Sequence, residues 1–350
     1  MTKHGLYIHI PVCLSKCHYC DFTSMTMSED MSGRYIGALI TEIEERCSGV
    51  DIDTIFVGGG NPFALNETQL NSVLAYAFKA APHFKEFTVE CNPESLTNPK
   101  ADIIINAGVN RVSLGLQSHD DIILKAIGRR HTYQDFFSAV RQLQGKGIKN
   151  INSDIILGLP NQTLDSVRET IARLIDLSIE HVSAYSLKVE NGTLLHKSGY
   201  VPDGDLQADM YDTVRELLGK TGYNRYEVSN FAKKNCECRH NIKYWRVEPY
   251  IGCGLSAHSM VGNVRQSNTP DIEKYLNGET IEERKKAQIR TERIMLGLRL
   301  EEGIDCRLLA DKPEQLNRLV KAGLITVEDN RVKIADDKFY ISNSIIAGLI

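Results

Sequence analysis

From residue 6 to about 190, short apolar runs alternate with amphipathic stretches. The strand-like runs are Leu6–Ile10, Thr54–Val57, Phe87–Glu90, Arg111–Leu116, Ile151–Leu157 and Val182–Leu187. Between them, apolar residues recur at helical spacing over 29–46, 67–80, 98–107, 132–144 and 164–177,. Two helix starts are marked: Asn66 followed by Gln69 reads as a capping box, and Thr163 caps the segment after Pro160,. Strands that alternate with helices predict a parallel sheet covered by crossover helices. Both an open doubly wound sheet and a partial barrel satisfy this pattern. In either, ligands belong at the C-terminal ends of the strands.

The unusual residues collect at those ends. Cys13 follows the first strand, Gly58-Gly59-Gly60 the second and Glu90-Cys91-Asn92-Pro93 the third, while Gln117 closes the fourth and Gly158 follows the fifth. The coincidence predicts one site assembled from many strand ends. Further on, a helix is expected near 206–219 and a strand near Tyr223–Val228, then a loop dense in Asn, Cys and His. Beyond about 280 come Ile289–Leu300, Leu308–Leu309 and Pro313–Ala322, then strand candidates Leu324–Val327 and Arg331–Ile334 joined at Asp329-Asn330. This order suggests a small winged-helix-like unit.

Composition narrows the classes. The 350 residues carry 41 basic and 45 acidic side chains, a net charge of −4, so no global field would hold the chain on nucleic acid or anionic lipid,. In the C-terminal unit, too, basic residues are matched by acids, and structural packing is preferred to DNA binding,. Charge does not forbid self-association, which leaves a homodimer open. No run of about 18 apolar residues predicts a membrane span, and no signal-peptide pattern precedes the first strand; a cytoplasmic protein is expected.

Nine cysteines then need explaining without disulfides,. Cys47, Cys91 and Cys306 are scattered and read as small buried hydrophobes,. Cys13-x-x-x-Cys17-x-x-Cys20 places three thiolates within eight residues. Three thiolates can hold three irons of a [4Fe–4S] cubane and leave the fourth iron open. Zinc is the alternative and would need a fourth ligand, for which His9 or His18 is available,.

With Tyr19 just before the third cysteine, this loop resembles that of the radical S-adenosylmethionine (SAM) superfamily. The resemblance implies a [4Fe–4S] cluster on Cys13, Cys17 and Cys20, SAM chelating its open iron, and reductive cleavage of SAM to a 5′-deoxyadenosyl radical. Gly58-Gly59-Gly60 resembles the superfamily's glycine stretch, where a chain without side chains approaches the methionine amino group,. A closer resemblance, over nearly the whole chain, is to the oxygen-independent coproporphyrinogen oxidase group and its heme-chaperone branch. It is carried by Tyr7-Ile8-His9-Ile10-Pro11, Gly108–Ser118, Gly128-Arg129-Arg130-His131, Asp154–Pro160, Ala184-Tyr185-Ser186-Leu187, Tyr226–Ala232 and His240–Trp245. It implies that Tyr7, Tyr19, Gly59, Gly60, Glu90, Gln117, Arg129 and Asp154 face SAM.

Two absences favour the chaperone branch. The oxidases carry a longer segment before the cluster motif and a further cysteine two residues after the third; here 12 residues precede Cys13, and Phe22 stands in the extra cysteine's place. His240-Asn241-x-x-Tyr244-Trp245 is similar to the heme-binding signature of that branch. It implies an axial imidazole from His240 and flat faces from Tyr244 and Trp245, with Cys238 and His258 next in line for the iron. Two departures stand out: Asn61 replaces the family's threonine, and the C-terminal unit is short.

The resulting expectation is a partial (β/α)6-type radical SAM barrel with a small helical/winged unit. It is divided into a core over 1–200, an extension with the HNxxYW segment over 201–275, and the C-terminal unit over 276–350. The implied function is binding of heme or porphyrin and delivery to acceptor hemoproteins, with an electron donor such as flavodoxin or ferredoxin. The alternatives are oxidative decarboxylation of coproporphyrinogen III, and radical chemistry on another substrate.

Overall fold

The structure is a computed structural model that describes residues 3–350. Six strands run parallel at its centre: His4–Ile10 (β1), Ile52–Gly59 (β2), Glu86–Cys91 (β3), Arg111–Gln117 (β4), Asn150–Leu157 (β5) and His181–Ser186 (β6). They lie in the order β1-β2-β3-β4-β5-β6. Each crossover thus steps to the next neighbour and the order never reverses, which distinguishes a curling partial barrel from a doubly wound sheet. The crossover helices Glu29–Cys47, Glu67–Ala80, Asn98–Asn106, Tyr133–Gly145 and Leu164–Asp176 match the helical pattern of the sequence. Both predicted caps form: Asn66 and Gln69 close a capping box, and Thr163 accepts from the Ser166 N–H.

Both sheet edges are extended. Asn224–Arg225 (β7) and Asn230–Ala232 (β8) join beyond β6. Tyr250–Cys253 (β9), His258–Val261 (β10), Val264–Asn268 (β11) and Ile281–Lys286 (β12) join beyond β1. The predicted strand over Tyr223–Val228 survives only as the two residues of β7, paired with β8. The stretch read as a loop holds the helix Arg239–Trp245 as well as β9 and β10.

Ile304–Asp305 (β13), Ile325–Glu328 (β14) and Arg331–Ile334 (β15) form a separate antiparallel sheet, with Asp329 and Asn330 both at positive φ in the hairpin turn. The large sheet claims residues through Lys286, so the small unit begins with the helix Ile289–Gly297. Arg225 fastens the two parts, bonding Asp336 at 2.5 Å and lying over the Phe339 ring.

Alternation along β1–β6 separates two environments. Leu6, Ile8, Ile10, Ile55, Val57, Phe87, Val89, Val112, Leu114, Ile151, Ile155 and Val182 are fully buried in the main hydrophobic core that the helices cover. The intervening positions are Tyr7, Thr54, Glu86, Thr88, Glu90, Arg111, Ser113, Asn152, Asp154, His181 and Ser183, almost all polar. An ordinary eight-stranded barrel fills its interior with branched apolar side chains. This one lines its interior with donors, acceptors and charge.

Candidate functional site at the mouth of the barrel

The interior has two ends. At the floor, the N-terminal ends of the strands meet the short helix Arg239–Trp245. Glu86 accepts from the backbone N–H groups of Arg239 at 2.8 Å and His240 at 2.9 Å, and Cys238 Sγ lies 3.5 Å from the same carboxylate. A carboxylate on a helix N-terminus forms charge-assisted bonds worth about 1.5–3 kcal/mol. His240 is fully buried, its Nδ1 bonded to Thr54 Oγ1 at 2.9 Å and its Nε2 to Tyr244 Oη at 2.7 Å. Burial, with Lys243 and Arg111 nearby, lowers His240 to about 3, so the ring stays neutral.

The HNxxYW segment is therefore dispersed. His240 is a floor residue with both nitrogens engaged, where the resemblance implies an imidazole presented to heme iron. Cys238, the rival ligand, is likewise fully buried. Tyr244 stands on the wall of a cavity of about 570 Å³ beside Tyr7, Gly59 and Glu90. Trp245 lines a different cavity of about 520 Å³ against the C-terminal unit, with the Arg299 guanidinium 6.0 Å from its ring.

At the mouth the strand ends bring the other candidates together. The three glycines are each required by a neighbour. A Cβ on Gly58 would sit 2.5 Å from Glu90 Oε2, one on Gly59 2.4 Å from the His9 ring, and one on Gly60 2.7 Å from the Val12 carbonyl and 3.0 Å from Cys13 Sγ. Gly59 also has φ +111°, outside the reach of ordinary side chains,. Its N–H donates to Glu90 Oε2 at 3.0 Å. Asn61 keeps its polar groups occupied within the protein: Nδ2 donates to Ser95 Oγ at 2.8 Å and Oδ1 accepts from the Phe63 N–H.

Asp154 accepts from Ser113 Oγ at 3.0 Å and from Asn152 Nδ2 at 2.8 Å. Asn152 in turn accepts from His181 Nδ1 at 2.5 Å, and His181 Nε2 accepts from Tyr226 Oη, so a hydrogen-bond chain runs from floor to mouth. Burial, then the charge of Asp154, raises Glu90 to about 7; burial also raises Asp154. These carboxyls face the interior without a cationic partner close enough to offset the burial. A ligand with an ammonium, a sulfonium and two ribose hydroxyls supplies what they lack.

Arg129 reaches under the cluster loop, donating to Asn92 Oδ1 at 3.0 Å and the Gly115 carbonyl at 2.9 Å, with Nη1 3.6 Å from Cys17 Sγ. Gln117 is buried at the β4 bulge with φ +68°, and its amide and Arg129 together leave no room for a Cβ at position 115. Tyr19 packs on the small apolar cluster of Ile123, Ile127 and Ile156.

Burial, together with the nearby Cys20 and Cys17 thiols, raises Cys13 to about 11. Such a group of thiols favours a cationic partner. Among the described residues no three His, Cys, Asp or Glu side chains converge to hold a single ion, as tetrahedral zinc would demand,. A cubane takes one thiolate on each of three irons, and the cationic guanidinium beside Cys17 fits the negative charge that such a group brings,.

His9 is a site residue that the sequence offered only as a zinc ligand. Tyr7 Oη donates to its Nδ1 at 2.9 Å, and its Nε2 donates to the Thr23 carbonyl at 2.8 Å, tying the cluster loop to β1. Its position next to Tyr7 on the interior face of β1 was the available signal. Tyr250, also on the cavity wall, carried none, because it lies in a stretch without apolar alternation.

Comparison with known proteins agrees with the fold. Residues 7–174 match the model of the Radical SAM superfamily. The chain is 34% identical to heme chaperone HemW of Lactococcus lactis, with 98% of this chain and 96% of that protein covered. It is 33% identical to heme chaperone HemW of Bacillus subtilis, with 98% of each covered. Among solved structures, coproporphyrinogen III oxidase (HemN) from Escherichia coli, described as a radical SAM enzyme, superposes with a TM-score of 0.86 at 20% identity, over 99% of this chain and 90% of that one.

Proposed function

We propose, for a chain that belongs to the heme chaperone HemW family of radical SAM proteins, that it binds heme and hands it to acceptor hemoproteins while holding a [4Fe–4S] cluster and SAM at the barrel mouth. The single observation that carries this reading is the likeness to proteins named heme chaperones along almost the full length of both chains.

Cys13, Cys17 and Cys20 would hold the cluster. Tyr7, Gly59, Gly60, Glu90, Gln117, Arg129 and Asp154, with Tyr19 behind the loop, would surround SAM. When bound, that pair of groups supplies one-electron reduction of a sulfonium. The chain's own residues act by positioning and electrostatics. Glu90 and Asp154 offer negative charge to a cationic ligand, and Gly58–Gly60 bring backbone close without side chains. Arg129 anchors the loop by its guanidinium, and His9 fixes the loop's far side through the Thr23 carbonyl. An electron donor of flavodoxin or ferredoxin type belongs to this reading, as does the cytoplasm, where thiols stay reduced; self-association as a homodimer is compatible with it. Among the described residues no helix is long and apolar enough to cross a membrane.

The test is hemin transfer. Anaerobically reconstituted protein loaded with hemin is mixed with an apo-hemoprotein, and the acceptor's spectrum is followed. Transfer faster than from free hemin supports the reading. No saturable hemin binding, together with turnover of coproporphyrinogen III, would replace it with the oxidase alternative; Phe22 in place of the oxidases' extra cysteine argues against that outcome.

A further inference from the structure

We infer that His181 and Tyr226 are positioning residues for SAM, which set the direction of the Asp154 carboxylate through Asn152 without touching the ligand; this rests on the placement of SAM proposed above. The register puts Ser113 of β4, Asn152 of β5 and His181 of β6 side by side on one rung of the barrel interior, two residues before Asp154 along β5. All three are buried. In an ordinary barrel such a rung is filled by branched apolar side chains; here it is a hydrogen-bonded array.

The direction of each hydrogen bond in the array is fixed from both ends. At the floor the Cys238 backbone N–H, which can only donate, points at Tyr226 Oη at 3.2 Å. The phenol therefore donates its own proton to His181 Nε2 at 2.7 Å. Burial, with the charge of Arg111, holds His181 well below the usual imidazole range, so the ring carries one proton, and that proton sits on Nδ1,. Nδ1 donates to Asn152 Oδ1 at 2.5 Å, and Ser183 Oγ donates to the same oxygen at 3.1 Å. With its oxygen held by two donors, Asn152 turns its Nδ2 the other way. There it donates to Asp154 Oδ1 at 2.8 Å and to Ser113 Oγ at 2.7 Å. Ser113 in turn donates to Asp154 Oδ2 at 3.0 Å. A carboxylate can only accept, so the two ends of the array agree.

The array leaves each Asp154 oxygen held by one donor, with further lone pairs free for a ligand's hydroxyls. A reversed Asn152 amide would set its oxygen against that carboxylate, and a bare Nδ1 on His181 would permit the reversal. His181 thus excludes the wrong amide orientation, and Tyr226 excludes the wrong tautomer of His181. Because Cys238 caps the helix Arg239–Trp245, that floor helix and Asp154 belong to one array.

The test measures SAM affinity of the full-length, anaerobically reconstituted protein by equilibrium dialysis. The SAM-induced EPR change of the reduced cluster is a second readout. Tyr226→Phe removes one hydroxyl and should weaken SAM binding about tenfold, with the cluster's absorbance and its SAM-free EPR spectrum unchanged. His181→Asn, which can still donate to Asn152 from the Nδ1 position, should lie closer to wild type than His181→Leu. In Asp154→Ala the array has no carboxylate left to aim, so adding Tyr226→Phe should cost nothing further. A merely structural role would weaken SAM binding by the same factor in both backgrounds. Wild-type affinity in Tyr226→Phe, or equal factors in the two backgrounds, overturns the inference and leaves SAM where it is placed. Unchanged affinity in Asp154→Ala, or no SAM binding by wild type, overturns that placement and the inference with it.

Discussion

The floor and the mouth of the barrel are built from the same six strands, and both bury polar groups, yet they spend them differently. At the floor, Glu86 takes two backbone N–H groups, while His181 and His240 each have both ring nitrogens bonded. Arg111 and Thr88 are exceptions, both buried, with Arg111 Nε and Thr88 Oγ1 unpartnered. At the mouth, Glu90 holds one backbone N–H, its carboxyl raised by burial and by Asp154, and three thiols crowd one loop. Satisfied polar groups specify structure, whereas groups left short of partners await a ligand. Residue type alone does not tell the two apart. On the proposed reading, a histidine at the floor is scaffold, and a glutamate at the mouth belongs to the site.

Substitutions should separate the two ends. The largest effect belongs to Cys17→Ala, which should abolish the brown iron–sulfur absorbance after anaerobic reconstitution while leaving the far-UV circular dichroism intact. A full-strength cluster in that variant would contradict the mouth assignment. Next is Glu86→Ala at the floor. It orphans the first N–H groups of the helix Arg239–Trp245 and should cost about 3 kcal/mol in denaturant unfolding, with SAM affinity of the folded protein unchanged. A loss below about 0.5 kcal/mol would show that the floor is not held this way.

Gly59→Ala follows, at about 2 kcal/mol, because the new methyl meets the His9 ring at a backbone angle it cannot adopt,. Glu90→Gln should be smaller in stability and opposite in sign. Folding raises this carboxyl from 4.5 to about 7, so the folded state holds the proton more tightly. Its contribution is full at low pH and is lost as pH rises through about 7. The apo variant should therefore gain roughly 1 kcal/mol relative to wild type at pH 8 and nothing at pH 4. In wild type SAM affinity should fall as pH drops below about 7, since protonation removes the attracting charge; the variant should lose that dependence. Smallest is His258→Ala, whose exposed ring should leave the unfolding free energy within about 0.5 kcal/mol. A larger loss would show that the ring packs as scaffold.

Much of this was legible in the sequence. The six central strands and five crossover helices have long, clean periods, and their caps are local. The mouth residues could be read because strand ends are where such sheets bind ligands, and Cys13, Cys17, Cys20 and Gly58–Gly60 announce themselves by spacing. The far edge was not legible. β11 and β12 read VRQSN and IEERKK, polar on both faces as sheet-edge strands are, so no alternation marks them,. The helix Arg239–Trp245 has seven residues, too few for a period,. The role of His240 was hidden for a further reason: its surroundings come from Glu86 and Thr54, more than 150 residues earlier in the chain. A motif names the residues but does not say which way a short helix will turn them.

The most direct test of the central claim, that the mouth is the unfinished half of the barrel and SAM completes it, is EPR of the reduced, reconstituted protein with and without SAM. The account predicts that SAM shifts the cluster's g values in wild type, and that Glu90→Gln needs a higher SAM concentration for the same shift. Identical spectra with and without saturating SAM would contradict it.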